Sequence, residues 1–243
     1  MLAVCDGRRS IPLAPARDYK RVHDGDSGPN TGGMGAFSPV PLADGALADG
    51  ALAGRVMDEI VDPLVATLRS DGIDYRGVLY AGLMVTATGP KVIEFNVRFG
   101  DPEAQVVLPR YGGDLSDLLA AAAAGRLPGD VPAPRPVATV CVVLAAEGYP
   151  ATARTGDVIE GLDAAGQVEG VQVIHAGTAF AAGHVVTAGG RVLGVTAEGS
   201  DLNQARERAY AAAARVSWPG VHYRRDVALV AVDPFRAIGA KHP

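Results

Sequence analysis

The chain has 243 residues, a formal net charge of −5 and a pI of about 5.5, with 48 % hydrophobic, 20 % charged and 5 % aromatic residues. This is an ordinary globular composition with enough length for a sizeable core, and it lacks the basic field that a general nucleic-acid binder uses to neutralise phosphates. The longest apolar runs, such as ATVCVVLAA from Ala138, fall well short of the roughly 20 residues of a membrane-spanning helix, and MLAVCDGRRS has neither the basic nor the apolar region of a signal peptide, so we expect no nucleic-acid and no membrane partner.

In chain order, LAVC and IPLA predict two short strands flanking a turn at Asp6-Gly7-Arg8. Residues 23–39, HDGDSGPNTGGMGAFSP, hold five glycines between Gly25 and Gly35 and almost nothing apolar before Met34. Bare backbone lets N–H groups approach an anion, as in phosphate-binding nests. Lys20 and Arg21 just upstream add positive charge. The P-loop pattern G-x-x-x-x-G-K-[ST] and the dinucleotide fingerprint are both absent. A flexible surface turn is the plain alternative; Pro29, Asn30 and Thr31 stiffen the segment, and its length favours a ligand loop.

From about Asp49 to Arg69 the residues Val56, Met57, Ile60, Val61, Leu64, Val65 and Leu68 recur at helical spacing, and Pro63 should kink or divide that helix. GVLYAGLMVTATGPKVIEFNVRFG reads as two strands joined at Thr88-Gly89-Pro90, followed by a helix from about Leu115 to Ala124. RLPGDVPAPRP, with four prolines in eleven residues, is the candidate linker. Beyond it, VATVCVVLAA, VQVIHA and a hairpin in HVVTAGGRVLGVTA predict strands, and Asp201 with Gln204 predicts a capped helix to about Val216. The fold class is α+β, with one domain over residues 1–134 and a second, strand-rich one over 135–243. Cys5 and Cys141 have no partner spacing and read as packed thiols in a reducing cytoplasm. Trp218 and Tyr223 read as packing residues.

The informative strand is KVIEFNVRFGDPE. Side chains alternate across a strand, so Ile93, Phe95 and Val97 share one face, expected to pack inward. Glu94, Asn96 and Arg98 share the other, with neighbours ~7 Å apart. Glu94 and Asn96 are hard oxygen donors suited to Mg²⁺ or Mn²⁺, and Arg98 suits a phosphate or developing negative charge. A solvated strand face with a Glu–Arg pair fits the same spacing.

DYKRVHDGDSGPNTGGMGAFSP and YRGVLYAGLMVTATGPKVIEFNVRFGDPEAQ, with ARTGDVIEGL, HAGT and GGRVLGVTA, resemble the phosphoribosylamine–glycine ligases (glycinamide ribonucleotide synthetases) of the ATP-grasp superfamily, over nearly the whole chain to about Val227. The resemblance implies the C-terminal half of an ATP-grasp domain followed by a small α+β domain. It also implies the reaction: ATP, glycine and 5-phosphoribosylamine give glycinamide ribonucleotide, ADP and phosphate through a glycyl phosphate. By the same resemblance Glu94 and Asn96 hold Mg²⁺ or Mn²⁺ against the nucleotide phosphates, and Arg98 is the catalytic arginine that steadies the transferring phosphoryl. Lys20, Arg21, Asp26, Asn30, Thr31, Gly32, Gly33, Met34 and Gly35 form a substrate-binding loop, and Asp101 is placed to meet an amine. His23 stands where the family pattern has glycine and is expected to be solvated; His175 either faces the cleft or makes a structural hydrogen bond.

A preceding domain and the first half of the ATP-grasp unit, with its lid and adenine pocket, are not in this sequence. The chain alone is therefore expected to be inactive and to need a partner chain carrying that half, with LAVC a strand stripped of neighbours. The alternatives are a noncatalytic fragment that binds such a partner, another ATP-grasp carboxylate–amine ligase, and a binding module for an anionic metabolite.

Overall fold

A computed structural model describes residues 1–41, 48, 50–86 and 88–229; the expected irregular tail from Asp233 lies outside them. The elements run β1 (Leu2–Asp6), β2 (Ser10–Pro12), β3 (Arg17–Asp18), β4 (Arg21–His23), β5 (Ser27–Asn30), β6 (Gly35–Ser38), α1 (Ala51–Val56), α2 (Asp62–Ser70), β7 (Arg76–Thr86) and β8 (Gly89–Asn96). They continue with α3 (Glu103–Val107), α4 (Leu115–Ala123), β9 (Ala138–Ala145), α5 (Leu162–Gly166), β10 (Val171–His175), β11 (Thr178–Ala181), β12 (His184–Thr187), β13 (Arg191–Gly199) and α6 (Leu202–Ala213). The class is α+β, with antiparallel sheets throughout.

The first compact unit comprises Met1–Ala16, Pro39–Gly100 and Val107–Pro136. Its sheet has the order β2-β1-β7-β8. Ala3, Cys5 and Leu79 point to one face, where Val56, Met57, Val61 and Val65 cover them. A fully buried aliphatic side chain stabilises by about 1.5–3 kcal/mol, so this face anchors the unit. Pro63 divides the helix as expected: a π-helical turn, Met57–Val61, separates α1 from α2, and Pro63 falls in the first turn of α2. Proline lacks the N–H for the ordinary ladder and its ring crowds the carbonyl four residues back; a widened turn relieves both. Asp114 caps α4 by accepting from Ser116 N and Asp117 N.

Three expectations change here. LAVC has both neighbours, with Val4 opposite Ile11 of β2 and Val78 of β7, and is wholly buried. The face of Ile93, Phe95 and Val97 does not pack inward: these residues are 64 %, 41 % and 75 % exposed. The physical reason is that β8 is the edge strand of the sheet, and no described element of this unit covers it. RLPGDVPAPRP is no free tether either. Leu127 N–H donates to Asp6 Oδ2 (2.9 Å), Arg9 donates to the carbonyls of Leu127, Pro128 and Gly129, and Arg135 N–H donates to Arg110 O (2.7 Å).

The second unit comprises Arg17–Ser38, Asp101–Val106 and Val137–Pro243. Its sheet has the order β10-β13-β9-β6-β3, and β9 is buried along its whole length. Ala205, Ala209, Ala212 and Ala213 form the buried face of α6, against β9 and β13. Asp201 caps that helix through Gln204 N (2.9 Å), and Gln204 Oε1 accepts from Ser200 N (2.8 Å), so the expected box closes one residue early. The two units are not divided at a single point near residue 134: residues 17–38 belong to the second unit because β6 pairs with β9, Phe37 opposite Val140. The expected hairpin is also re-drawn: β12 pairs with β11, not with β13. Ala182 (φ 49°) and Gly183 (φ 84°) make the two-residue turn, which matches strand twist when both residues are left-handed. Trp218 is buried, as expected of a packing residue.

Candidate functional site

In the first unit, β8 carries the polar wall. Glu94 and Asn96 lie opposite Gly82 and Tyr80 of β7, which puts both on one face. Gly82 makes room: a Cβ there would come 3.0 Å from Glu94 Cγ. Arg98 follows, its Nη2 reaching Asn96 Oδ1 at 3.5 Å and its Nη1 donating to Phe99 O at 2.8 Å. Glu94 and Arg98 are exposed and Asn96 is half-buried between them, so the carboxylate, the carboxamide oxygen and the guanidinium follow one another at the end of the edge strand. An exposed carboxylate beside a carboxamide oxygen is a fitting donor pair for a hard divalent ion. Two protein oxygens would leave most positions of such an ion to water or phosphate oxygens; among the described residues no group of three or more His, Cys, Asp or Glu side chains is placed to hold a metal ion.

In the second unit, the glycine-rich loop runs from β4 through β5 to β6 and is held by its own surroundings. Thr31 N–H donates to Lys20 O (2.7 Å), Gly32 N–H to the Tyr149 hydroxyl (3.1 Å), Gly33 N–H to Thr31 Oγ1 (2.9 Å) and Met34 N–H to Tyr19 O (2.8 Å). These four amides are thus engaged inside the protein, not splayed as an anion nest. The glycines serve close approach instead. A Cβ at Gly33, whose φ is +120°, would lie 2.5 Å from Pro102 Cδ. One at Gly32 would lie 2.9 Å from the Arg191 guanidinium carbon.

The loop's cations are likewise committed. Lys20 Nζ pairs with Asp18 (2.7 Å) and Glu103 (3.7 Å), and Arg21 donates to Gly28 O (2.7 Å). The carboxylate of Asp101 meets Arg191 at 3.0 Å and accepts from Gln105 at 2.9 Å. Asp26, at a left-handed φ of 53°, accepts from Arg224 at 2.7 Å. Asn30 is exposed opposite Arg21 in the β4–β5 pair. His23 is exposed, with its ring 5.4 Å from that of His222, and His175 makes a structural hydrogen bond to Thr178 Oγ1 (3.1 Å).

Sequence reasoning missed four residues that hold the loop: Tyr149, Arg191, Arg224 and Asp226. Arg224 is fully buried and binds Asp226 through two hydrogen bonds of 2.7 and 2.6 Å. Burial acts to raise the Asp226 pKa, but the Arg224 hydrogen bonds and the Gly25 N–H outweigh it and hold the carboxyl below its ordinary value. Burial pushes the Cys141 thiol up to about 12, which makes it an inert packing group.

Two family models match the chain: phosphoribosylglycinamide synthetase, ATP-grasp (A) domain, over residues 1–104, and phosphoribosylglycinamide synthetase, C domain, over residues 139–230. The chain belongs to the phosphoribosylglycinamide synthetase family. Within this family it is 51 % identical to the phosphoribosylamine–glycine ligase of Streptomyces coelicolor, over 94 % of this chain and 54 % of that one. It is 48 % identical to the chloroplastic phosphoribosylamine–glycine ligase of Arabidopsis thaliana, over 93 % of this chain and 42 % of that protein. The crystal structure of the Thermotoga maritima phosphoribosylamine–glycine ligase superposes with a TM-score of 0.80 at 36 % identity, covering 93 % of this chain and 54 % of that one. An N5-carboxyaminoimidazole ribonucleotide synthetase from Thermus thermophilus, at TM-score 0.55 and 19 % identity, shares the fold alone. The chain has the fold of the C-terminal part of an ATP-grasp ligase and spans about half the length of the curated relatives it matches. No helix among its described residues is long and apolar enough to cross a membrane.

Proposed function

We propose that this chain carries the metal-and-substrate half of a phosphoribosylamine–glycine ligase, working in the cytoplasm on ATP, glycine and 5-phosphoribosylamine. The observation that supports this best is the Glu94–Asn96–Arg98 wall, solvent-facing on an edge strand in a chain of this family. In the proposed reaction a glycine carboxylate oxygen attacks the γ-phosphorus of ATP, ADP leaves, and glycyl phosphate forms. The amine nitrogen of phosphoribosylamine then attacks the acyl carbon, the bond to the phosphate oxygen breaks, and the nitrogen gives up a proton.

Arg98 can bridge two phosphoryl oxygens with its planar fork, so it stabilises the charge that gathers as the γ-phosphoryl passes to glycine. Glu94 and Asn96 would hold a Mg²⁺ or Mn²⁺ ion, which when bound neutralises phosphate charge and orients the nucleotide. The loop from Asp26 to Gly35, with Lys20 and Arg21 near it in sequence and Asp101 near it in structure, is the proposed substrate loop. Its contribution is a fixed surface: carbonyls, the Asn30 carboxamide and a closely packed backbone. Positioning of this kind contributes on the order of 7–11 kcal/mol to such reactions.

The relatives that these 243 residues match are about twice as long, so the whole reaction is tested with the rest of a relative's length present as well as without it. The experiment compares product formation from ATP, glycine, phosphoribosylamine and Mg²⁺ by this chain alone and by the chain joined to the N-terminal half of its Streptomyces coelicolor relative. Glycine-dependent ADP formation only in the joined protein supports the reading. Its absence in both refutes it.

A further inference from the structure

We propose that Arg224 is a positioning residue for the glycine-rich loop, acting through a clamp built from residues 222–228. No sequence motif marks it, and it stands some two hundred residues from what it holds, with Asp26 at a separation of 198.

The clamp grips the first half of the loop at every turn. Arg224 Nη1 donates to Asp26 Oδ1 (2.7 Å) and to Arg21 O (3.1 Å), while Nε and Nη2 bind the Asp226 carboxylate in a fork. Its guanidinium carbon lies 4.5 Å from the centre of the Tyr19 ring. Asp226 Oδ2 then accepts from Gly25 N–H (2.9 Å), and Arg225 N–H donates to Asp24 Oδ1 (2.8 Å). His222 Nε2 meets Val22 O at 2.8 Å, and Ala228 N–H donates to the Tyr19 hydroxyl at 3.0 Å. The clamp is itself fixed: Tyr210 donates to Arg224 O (2.8 Å) and Arg206 to Arg225 O (2.6 Å).

Two costs show that the arrangement is specified. Asp26 sits at a left-handed φ, which side chains other than glycine rarely take without support. A fully buried guanidinium is costly to place unless every donor finds an acceptor. Lysine cannot replace it: an ammonium would reach Asp26 or Asp226 but could not fork one carboxylate, bond the other and stack on Tyr19 together.

The clamp rests on geometry; its catalytic consequence rests on the ligase reading above. Arg224→Lys and Arg224→Met are made in the 243-residue chain, and amide hydrogen exchange is followed in residues 24–35 and in β9 and β13. Arg224→Lys should speed exchange in the loop by roughly tenfold or more, as loss of a charge-assisted network implies, while β9 and β13 keep their rates. If Arg224→Met fails to fold, the lysine variant decides.

In the chain joined to the N-terminal half of its Streptomyces coelicolor relative, Arg224→Lys should raise KM for glycine or phosphoribosylamine and leave KM for ATP unchanged. A drop in kcat alone, with all three KM values intact, would mark a merely structural role and overturn the proposal. So would a loop whose exchange is unchanged, or one that loosens together with β9. A joined, unsubstituted protein that makes no product would overturn the ligase reading instead, and the exchange experiment would still decide the clamp.

Discussion

The glycine-rich loop and the β8 wall are both polar, exposed and rich in residues that suit phosphate chemistry, yet they are built in opposite ways. The loop spends its hydrogen-bonding groups inside the fold: the amides of Gly25, Thr31, Gly32, Gly33 and Met34 all have acceptors within the protein. Along the wall, Asn96 and Arg98 meet only at 3.5 Å, and Glu94 stands on the exposed edge strand opposite a glycine. A segment saturated with internal bonds presents a fixed shape to a ligand. A segment with unspent oxygens presents ligating capacity. The two therefore should answer differently to substitution.

The largest effect should come from breaking what holds the loop. Asp226→Ala leaves the buried Arg224 without its forked partner, and breaking a buried charge pair costs about 3–5 kcal/mol. Urea unfolding of the chain should show a loss of this order. A loss below about 1 kcal/mol would mean that solvent already shares in the pair. Gly33→Ala comes next. Its φ of +120° and the Pro102 ring 2.5 Å from the new Cβ predict a cost of about 1–3 kcal/mol, read as a lower unfolding midpoint.

The wall should behave in reverse. Glu94→Gln touches an exposed side chain, so stability should change by no more than about 0.5 kcal/mol. In the chain joined to the N-terminal half of its Streptomyces coelicolor relative, glycine-dependent ADP formation should nevertheless fall and should need more Mg²⁺ on the proposed reading. Arg98→Lys should cost roughly 10²-fold in kcat with little change in the KM for ATP. A raised KM with kcat intact would assign Arg98 to ground-state binding.

The smallest effect is in pH. The Asp226 carboxyl lies below the ordinary aspartate value of 3.8, since the Arg224 and Gly25 hydrogen bonds outweigh burial. The stabilisation is therefore complete above that ordinary value and is lost as pH falls through the depressed one. Asp6 in the first unit has the same sign: burial raises it, but the amides of Arg9, Leu127 and Arg8 win. Acid unfolding of Asp6→Asn should lose part of its steepness below pH 4 relative to the parent chain.

How much of this was legible in the sequence follows from range. Glu94, Asn96 and Arg98 could be put on one face because strand alternation is a local rule, and β7–β8 pair across a short turn. The divided helix at Pro63 and the cap at Asp201 were equally local. The inward packing of Phe95 was misjudged because alternation tells which residues share a face, not whether anything covers it. The loop's construction was illegible for a related reason. Its glycines announced close approach, but what they approach, Pro102, Arg191 and Cys141, comes from distant segments. The Arg224 clamp has no periodicity or spacing to betray it.

The central claim is that the loop is built before any substrate arrives. Amide hydrogen exchange of the unliganded 243-residue chain tests it at Thr31, Gly32, Gly33 and Met34. The account predicts protection at these four amides approaching that of β9, because each donates inside the fold. Exchange at the rate of an unstructured peptide, with β9 still protected, would contradict it and would mean that substrates, not the fold, give the loop its shape.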